Sequence, residues 1–251
     1  AGSAIPPIIF GVAFGNLLQG VPFHFDELLR IYYTGSFWAL LNPFALLVGV
    51  LSLLMFINQG ACYLQMKTEA PLRQRAEAVS LISATLAAVL FVLAGIWLAS
   101  AGMGYKVTSL IDSNAINSAV TKTVEVSSGA WFSNYEAYPL LWIFPLLGVA
   151  AFLVSALCSK LAKGWQAFVA SSLAITGVIM TCGVSMFPFI MPSSSMPNHS
   201  LTMWDATSSE LTLKIMFVVA CIFVPITLSY TAWCYWKMWG RLNRNSISSN
   251  N

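Results

Sequence analysis

The sequence predicts an all-α fold: a polytopic transmembrane helix bundle with six spans, forming a single integral membrane domain over 1–251. Three observations predict it. Only 12 Lys/Arg and 9 Asp/Glu occur in 251 residues, 8% charged, against about 25% in an ordinary soluble domain. Those charges sit in short clusters, leaving charge-free stretches at 1–25, 31–66, 78–105, 137–159, 164–204 and 215–236. A bilayer core roughly 30 Å thick needs about 20 helical residues, and a charge at its centre costs several kcal/mol. Each of the six stretches is long enough to cross.

The first span, about 5–21, is short, roughly 25 Å at 1.5 Å per residue. That shortness, with no initiator Met before Ala1, gives the expectation that the chain begins inside a helix and is the C-terminal portion of something longer. Gly11 and Gly15 form a GxxxG pattern that lets two helices approach closely. Pro22 ends the span. Phe23–Tyr33 mixes aromatics with Asp26, Glu27 and Arg30, which reads as an interfacial helix.

The second span, about 37–66, is long enough to tilt. The third is about 79–103. A polar loop then runs to about Ala137, ending in Trp131, Phe132, Tyr135 and Tyr138, which fit an aromatic belt. The fourth span, 138–158, opens with Pro139. The fifth is 165–191. The sixth, 211–236, contains Pro225, which removes a helical donor and predicts a kink. The Asn/Ser-rich tail 243–251 is expected to be disordered.

Positive charge sets the orientation. With six spans, Lys67, Arg73, Arg75, Lys160, Lys163, Lys237, Arg241 and Arg244 fall on one side, and Arg30, Lys106, Lys122 and Lys214 on the other. Cytoplasmic loops carry the Lys/Arg excess, so the C-terminus is expected in the cytoplasm. No basic stripe exists to neutralise phosphates, which argues against nucleic acid as a partner. Membrane lipid is the expected surrounding.

Chemistry-bearing residues are sparse. Cys62, Cys158, Cys182, Cys221 and Cys234 form no CxxC pair and read as small apolar residues. His24 and His199 lie outside the spans, so no histidine is placed to ligate a buried haem. The span interiors hold no carboxylate; their notable polar groups are Asn16, Asn58 and Gln59. Interhelical hydrogen bonding is the first reading for these, and contact with a quinone headgroup or a water chain is the other. No phosphate-binding, dinucleotide, zinc-protease or hydrolase motif occurs, so no catalytic residue and no metal site is predicted.

The segment Met186–Glu210 is distinctive. Three prolines, Pro188, Pro192 and Pro197, favour an extended path. Thr207 and Glu210 have capping-box spacing, and Asp205 lies near the positive end of the last helix. Trp204, Asp205, Thr207, Ser208 and Ser209 are therefore expected either to structure this loop or to form a partner interface.

Phe187-Pro-Phe-Ile-Met-Pro-Ser-Ser, Ser200-Leu-Thr-Met-Trp-Asp-Ala-Thr-Ser-Ser and Tyr230-Thr-Ala-Trp-Cys-Tyr-Trp-Lys-Met-Trp-Gly-Arg241 follow one another in this chain. With Gly11–Phe23 and Gln59–Met66, they resemble subunit II of the bacterial cytochrome bd ubiquinol oxidases, over essentially the whole length. The resemblance implies a non-haem subunit in the bacterial inner membrane that stabilises a haem-bearing subunit I. In that family subunit I carries haem b and haem d, and the complex oxidises quinol and reduces O₂ to water without pumping protons. A bound ubiquinone in this subunit is part of the same implication. The family's N-terminal Asp-Gly-Phe-Asp and Trp-Asp-Gly-Asn motifs, with their buried acids, have no counterpart here, so no proton-delivery residue is carried over. The competing class is a proton-coupled small-molecule transporter, which Pro-containing spans would suit. It predicts an intramembrane ionisable residue and inverted repeats, and the sequence has neither.

Overall fold

The structure is a computed structural model; it describes residues 2–69, 71–102, 104–109 and 122–237. Seven α-helices appear among the described residues: α1 (Ile5–Gln19), α2 (Pro43–Lys67), α3 (Leu72–Ser100), the short α4 (Ser133–Ala137), α5 (Ile143–Lys160), α6 (Gly164–Met186) and α7 (Glu210–Lys237). Five apolar stretches have the length to cross a membrane: α2, α3, α5 with its preceding turn, α6 and α7. The expected six spans become five. At 15 residues, α1 measures roughly 22 Å, and it stops because Gly20 turns the chain with φ 88°.

Four helices make the core. α2 packs on α3, α3 on α5, α5 on α6, and α6 back on α2, closing a ring; α1 lies along the outside of α2. The centre is filled by Leu51, Met55, Ala84, Ala87, Ala88, Ala151, Phe152, Ala156, Ala174 and Val178. So many alanines bring the backbones together, which is how helices gain packing contacts where lipid is as apolar as leucine. Glycine does the same at two crossings. A methyl group on Gly15 would come within 2.7 Å of the Ala45 Cα, and one on Gly177 within 2.6 Å of the Gly148 nitrogen. The GxxxG of α1 thus serves a contact inside the chain.

Helix limits depart from the sequence expectation where local chemistry overrides hydropathy. α2 starts at Pro43, not near 37, because Asn42 caps it by accepting from Ala45 N at 2.8 Å and proline is suited to the first turn. The preceding Trp38–Leu41 form a 3-10 turn. α3 begins at Leu72 and takes in Arg73, Arg75 and Glu77. α5 is preceded by a 3-10 turn, Pro139–Trp142. α6 ends at Met186 because Pro188 pushes Phe187 to an extended ψ of 131°. α7 runs unbroken through Pro225. The tail 243–251, with Arg241 and Arg244, lies outside the described residues.

Three hairpins cap one end of the ring: β1 (Phe23–Phe25) with β2 (Ile31–Tyr33), β3 (Tyr105–Val107) with β4 (Val124–Val126), and β5 (Phe189–Met191) with β6 (Leu201–Thr202), all antiparallel. The first corrects the expected interfacial helix. Asp26 Oδ1 accepts from Leu28 N and Arg30 N at 2.9 and 2.8 Å, and this carboxylate-held turn reverses the chain before a helix can start. A Val21–Ser193 bridge joins the first and third hairpins. The expected aromatic belt is corrected too: Trp131 and Tyr135 are 1% and 2% exposed. Trp131 packs at an angle to Tyr105 and edge-on to Phe189 and plugs the ring.

Gly15→Val is expected to destabilise the chain by about 1–3 kcal/mol through overpacking. Gly60→Ala, which faces open space, should be neutral or stabilising by up to about 1 kcal/mol. Unfolding in mixed detergent measures both.

Candidate functional site

α2 carries Asn58, Cys62 and Gln65 on one stripe, at i, i+4 and i+7, facing the interior of the ring. Serines meet them from each of the other three ring helices: Ser80 from α3, Ser155 and Ser159 from α5, Ser171 from α6. Asn58, Ser80, Ser155, Ser159 and Ser171 have no exposure at all, and Gln65 has 1%. Asn58 is the hub. Its Nδ2 donates to Ser171 Oγ at 2.9 Å and more weakly to Ser155 Oγ at 3.4 Å. Its Oδ1 accepts from Ser80 Oγ at 2.8 Å. Ser80 and Ser159 hydroxyls lie 2.8 Å apart, and Gln65 Nε2 donates to Ser159 Oγ at 3.1 Å. The Cys62 thiol sits 3.2 Å from Ser80 Oγ, so this cysteine lies in a polar setting that sequence reading did not assign to it.

The other two polar positions are tethers of different reach. Gln59 Nε2 donates to Ser172 Oγ on α6 at 3.0 Å. Asn16 Nδ2 donates to the carbonyls of Val12 and Leu40 at 2.8 and 2.7 Å, and Asn42 Nδ2 donates to Asn16 Oδ1 at 3.0 Å. Asn16 thus fastens α1 to the residue that caps α2.

At the capped end, side chains close the open carbonyls of helix C-termini, which have no helical donor. Trp131 Nε1 donates to Leu18 O at 3.0 Å and Tyr105 Oη to Gln19 O at 3.2 Å, both on α1. Asn134 Nδ2 does the same for Val184 O of α6, and Tyr135 Oη donates to Thr181 O a turn earlier in that helix. The turn Pro197–His199 then ties hairpins together. Asn198 Oδ1 accepts from Val124 N at 2.8 Å, and His199 Nδ1 accepts from Phe25 N at 2.9 Å. His24 stacks on Tyr32 with ring centroids 5.9 Å apart.

Of the five loop residues picked out from sequence, Asp205 is the best anchored. Its carboxylate lies 2.6 Å from Lys122 Nζ, with both side chains about nine-tenths buried, and it accepts from Thr202 N and Oγ1. It does not act on the start of α7. Trp204 packs edge-on against Phe187 at 6.2 Å. Thr207 and Ser208 are exposed. Ser209 occupies the cap position of α7, its carbonyl accepting from Leu213 N and its hydroxyl lying 2.9 Å from Thr212 Oγ1. That replaces the expected capping box at Thr207, because Glu210 is the first helical residue and not the third. The structure brings Trp204 and Asp205 into the cap and leaves Thr207, Ser208 and Ser209 on the approach to α7.

No group of three His, Cys, Asp or Glu side chains placed to hold a metal exists among the described residues. Both histidines lie in the cap, and His199 Nδ1 is taken by a backbone amide, so these residues do not fit a haem. The opposite end of the ring is basic: Arg73 pairs with Glu77 at 2.9 Å and donates to Ala162 O in the α5–α6 turn.

The sequence model of one family, described as "Cytochrome bd terminal oxidase subunit II", matches residues 1–238. The chain belongs to that family. A probable cytochrome oxidase subunit 2 of Haemophilus influenzae is 56% identical over 250 residues, covering 100% of this chain and 66% of the relative. Cytochrome bd-I ubiquinol oxidase subunit 2 of Escherichia coli K12 is 52% identical over 249 residues, covering 99% and 66%. Cytochrome bd ubiquinol oxidase subunit 2 of Bacillus subtilis is 26% identical over 238 residues, covering 94% and 60%. The chain thus spans 66% of the length of the first two relatives. As a member of the subunit II family it is an all-α membrane bundle.

Asn58→Ala would strand the Ser80 donor inside the ring, and a buried polar group without its partner costs about 1–3 kcal/mol; detergent unfolding should show that loss. A second expectation concerns pH. Burial, then the nearby His24 and Lys122, hold the His199 imidazole below its ordinary value of 6.5. A depressed histidine stabilises the fold above its unfolded pKa of about 6.5, and that stability is lost as pH falls through the lower folded value. Exchange protection of the Phe25 amide should therefore drop below about pH 6.5, and His199→Ala should abolish the pH dependence.

Proposed function

We propose that the chain acts as the haem-free subunit of a bd-type quinol:O₂ oxidoreductase in a bacterial inner membrane. In this reading it stabilises a haem-bearing subunit I, which holds haem b and haem d, oxidises quinol and reduces O₂ to water. The observation that carries the reading is the match to the subunit II family over 1–238. The site chemistry is consistent: both histidines lie outside the long helices, and the polar side chains of the ring bond chiefly to one another, with Gln59 Oε1 and Gln65 Oε1 the buried exceptions among the described residues. Interhelical tethering is the role we assign to Asn16, Asn58 and Gln59, because the amides of the first two are filled by protein partners and Gln59 Nε2 is bonded to Ser172 of α6. We therefore place no ubiquinone at these three side chains. No observation favours the transporter alternative.

The partner surface we propose is α7. Its 28 residues include none that is buried, and charge sits only at its ends, as Glu210, Lys214 and Lys237. It makes no substantial contact with the ring. A helix apolar all round suits burial between a second subunit and lipid. The orientation reading follows the same line. Lys67, Arg73, Arg75, Lys160 and Lys163 share the end opposite the cap, and α7 starts from the cap side, so Lys237 would return to the basic, cytoplasmic end.

A tagged copy of the protein should co-purify a haem-bearing subunit with quinol oxidase activity; purification without haem and without activity refutes the proposal. A photoreactive side chain placed in turn at Cys221, Ile222, Phe223 and Val224 samples all sides of α7, and at least one position should cross-link the partner. Cross-links to lipid alone at all four would remove α7 as the interface. Asp205→Asn should lower the yield of assembled complex more than the turnover of what assembles; unchanged yield with abolished turnover would contradict a cap role.

A further inference from the structure

The hydrogen bonds around Asn58 have a direction. A serine hydroxyl has one proton to give. Ser80 gives its proton to Asn58 Oδ1. In the Ser80–Ser159 pair, Ser159 must therefore be the donor. With its proton committed, Ser159 can only accept from Gln65, and it does, from Nε2. The same Nε2 group reaches Ala76 O at 3.4 Å. Gln65 Oε1 is left with no protein donor.

Turning the amide over does not cure this. Oε1 would then face the Ala76 carbonyl, acceptor against acceptor, and could take no proton from Ser159. Reversing the whole chain, with Asn58 also turned, would let Ser159 donate to Oε1 but would leave Nε2 with no acceptor. Every arrangement leaves one polar atom of the Gln65 amide without a protein partner, in a side chain 1% exposed. Buried polar atoms of this kind are met by ordered water.

The start of α6 lies beside the Gln65 backbone and Cβ. Gly164, the first residue of α6, lies against Gln65: a Cβ at 164 would sit 3.3 Å from the Gln65 carbonyl carbon and Cβ. The first bond inside α6 runs from Ala167 N to Lys163 O at 3.0 Å, so the amides of Gly164, Trp165 and Gln166 have no helical carbonyl to meet.

We propose that an ordered water molecule sits between Gln65 and the start of α6, donating to Gln65 Oε1 and accepting from a first-turn amide of α6. It terminates the one-way chain Gln65–Ser159–Ser80–Asn58 and links α2 to α6 at the basic end of the ring. The inference rests on the ring alone and holds in whatever assembly contains the chain.

The test is a density map of the protein in the membrane assembly with which it purifies, at a resolution where other buried waters are visible. A peak within hydrogen-bond distance of Gln65 Oε1 and of Gly164, Trp165 or Gln166 N is expected. An empty position, or an Oε1 met by a protein donor, overturns the proposal. In Gln65→Met the peak should vanish while the Ser159–Ser80–Asn58 spacing stays; a peak that persists removes Gln65 as its ligand.

Discussion

Asn58 joins all four walls of the ring, and the rest of the structure depends on that junction. Apolar side chains do not drive helices together inside lipid, because the tails around them are equally apolar. Close packing and interhelical hydrogen bonds remain. Close packing is supplied by alanine and glycine, which draw the backbones near enough for short side chains to meet. Serine hydroxyls then reach across without long arms. A leucine-lined interior would hold the helices too far apart for Ser80 and Ser159 to touch at 2.8 Å. The small residues and the hydroxyl chain are therefore one device, each requiring the other.

The two ends of the ring are finished differently. One end is closed by the hairpins and by the segment from Trp131 to Asn134, whose side chains answer open carbonyls of α1 and α6, and a well-buried ion pair there joins Lys122 to Asp205. The other end carries the basic turns, held by the Arg73 contact to Ala162. Apolar residues between them face outward all round: Phe56, Ile82, Leu86, Ile96, Leu153 and Ile179 are all exposed, as expected of side chains that meet hydrocarbon. The surface between the two ends is thus as apolar as the core, and the buried hydroxyls lie among the helices beside that core.

Hydropathy made the long helices legible, because excluding charge from some 20 residues leaves a mark no other fold demands. The hairpins were not legible. Phe23–Tyr33 holds its alternation over only three residues a side, and the turn is set by one carboxylate, Asp26. Hydropathy also misjudged Trp131 and Tyr135, since an aromatic near a span end reads the same whether it meets headgroups or a protein core. At the polar site Asn58 stood out as an amide in an apolar run, while its serine partners did not. A serine is neutral enough to pass unnoticed in a span. The signal that could have found them was spacing: Ser155 and Ser159 at i, i+4 face one stripe, as do Asn58, Cys62 and Gln65.

The isolation of α7 has a consequence in time. Domains fold as they leave the ribosome, at about 5–20 residues per second. Among the described residues, the helices of the ring and the hairpins of its cap all precede Asp205 in the chain, and α7 follows them. α7 therefore emerges after the helices and hairpins of the ring and cap, beside a body that offers it little contact. If the proposed interface on α7 holds, the docking of this helix follows closure of the ring and is a late step of assembly.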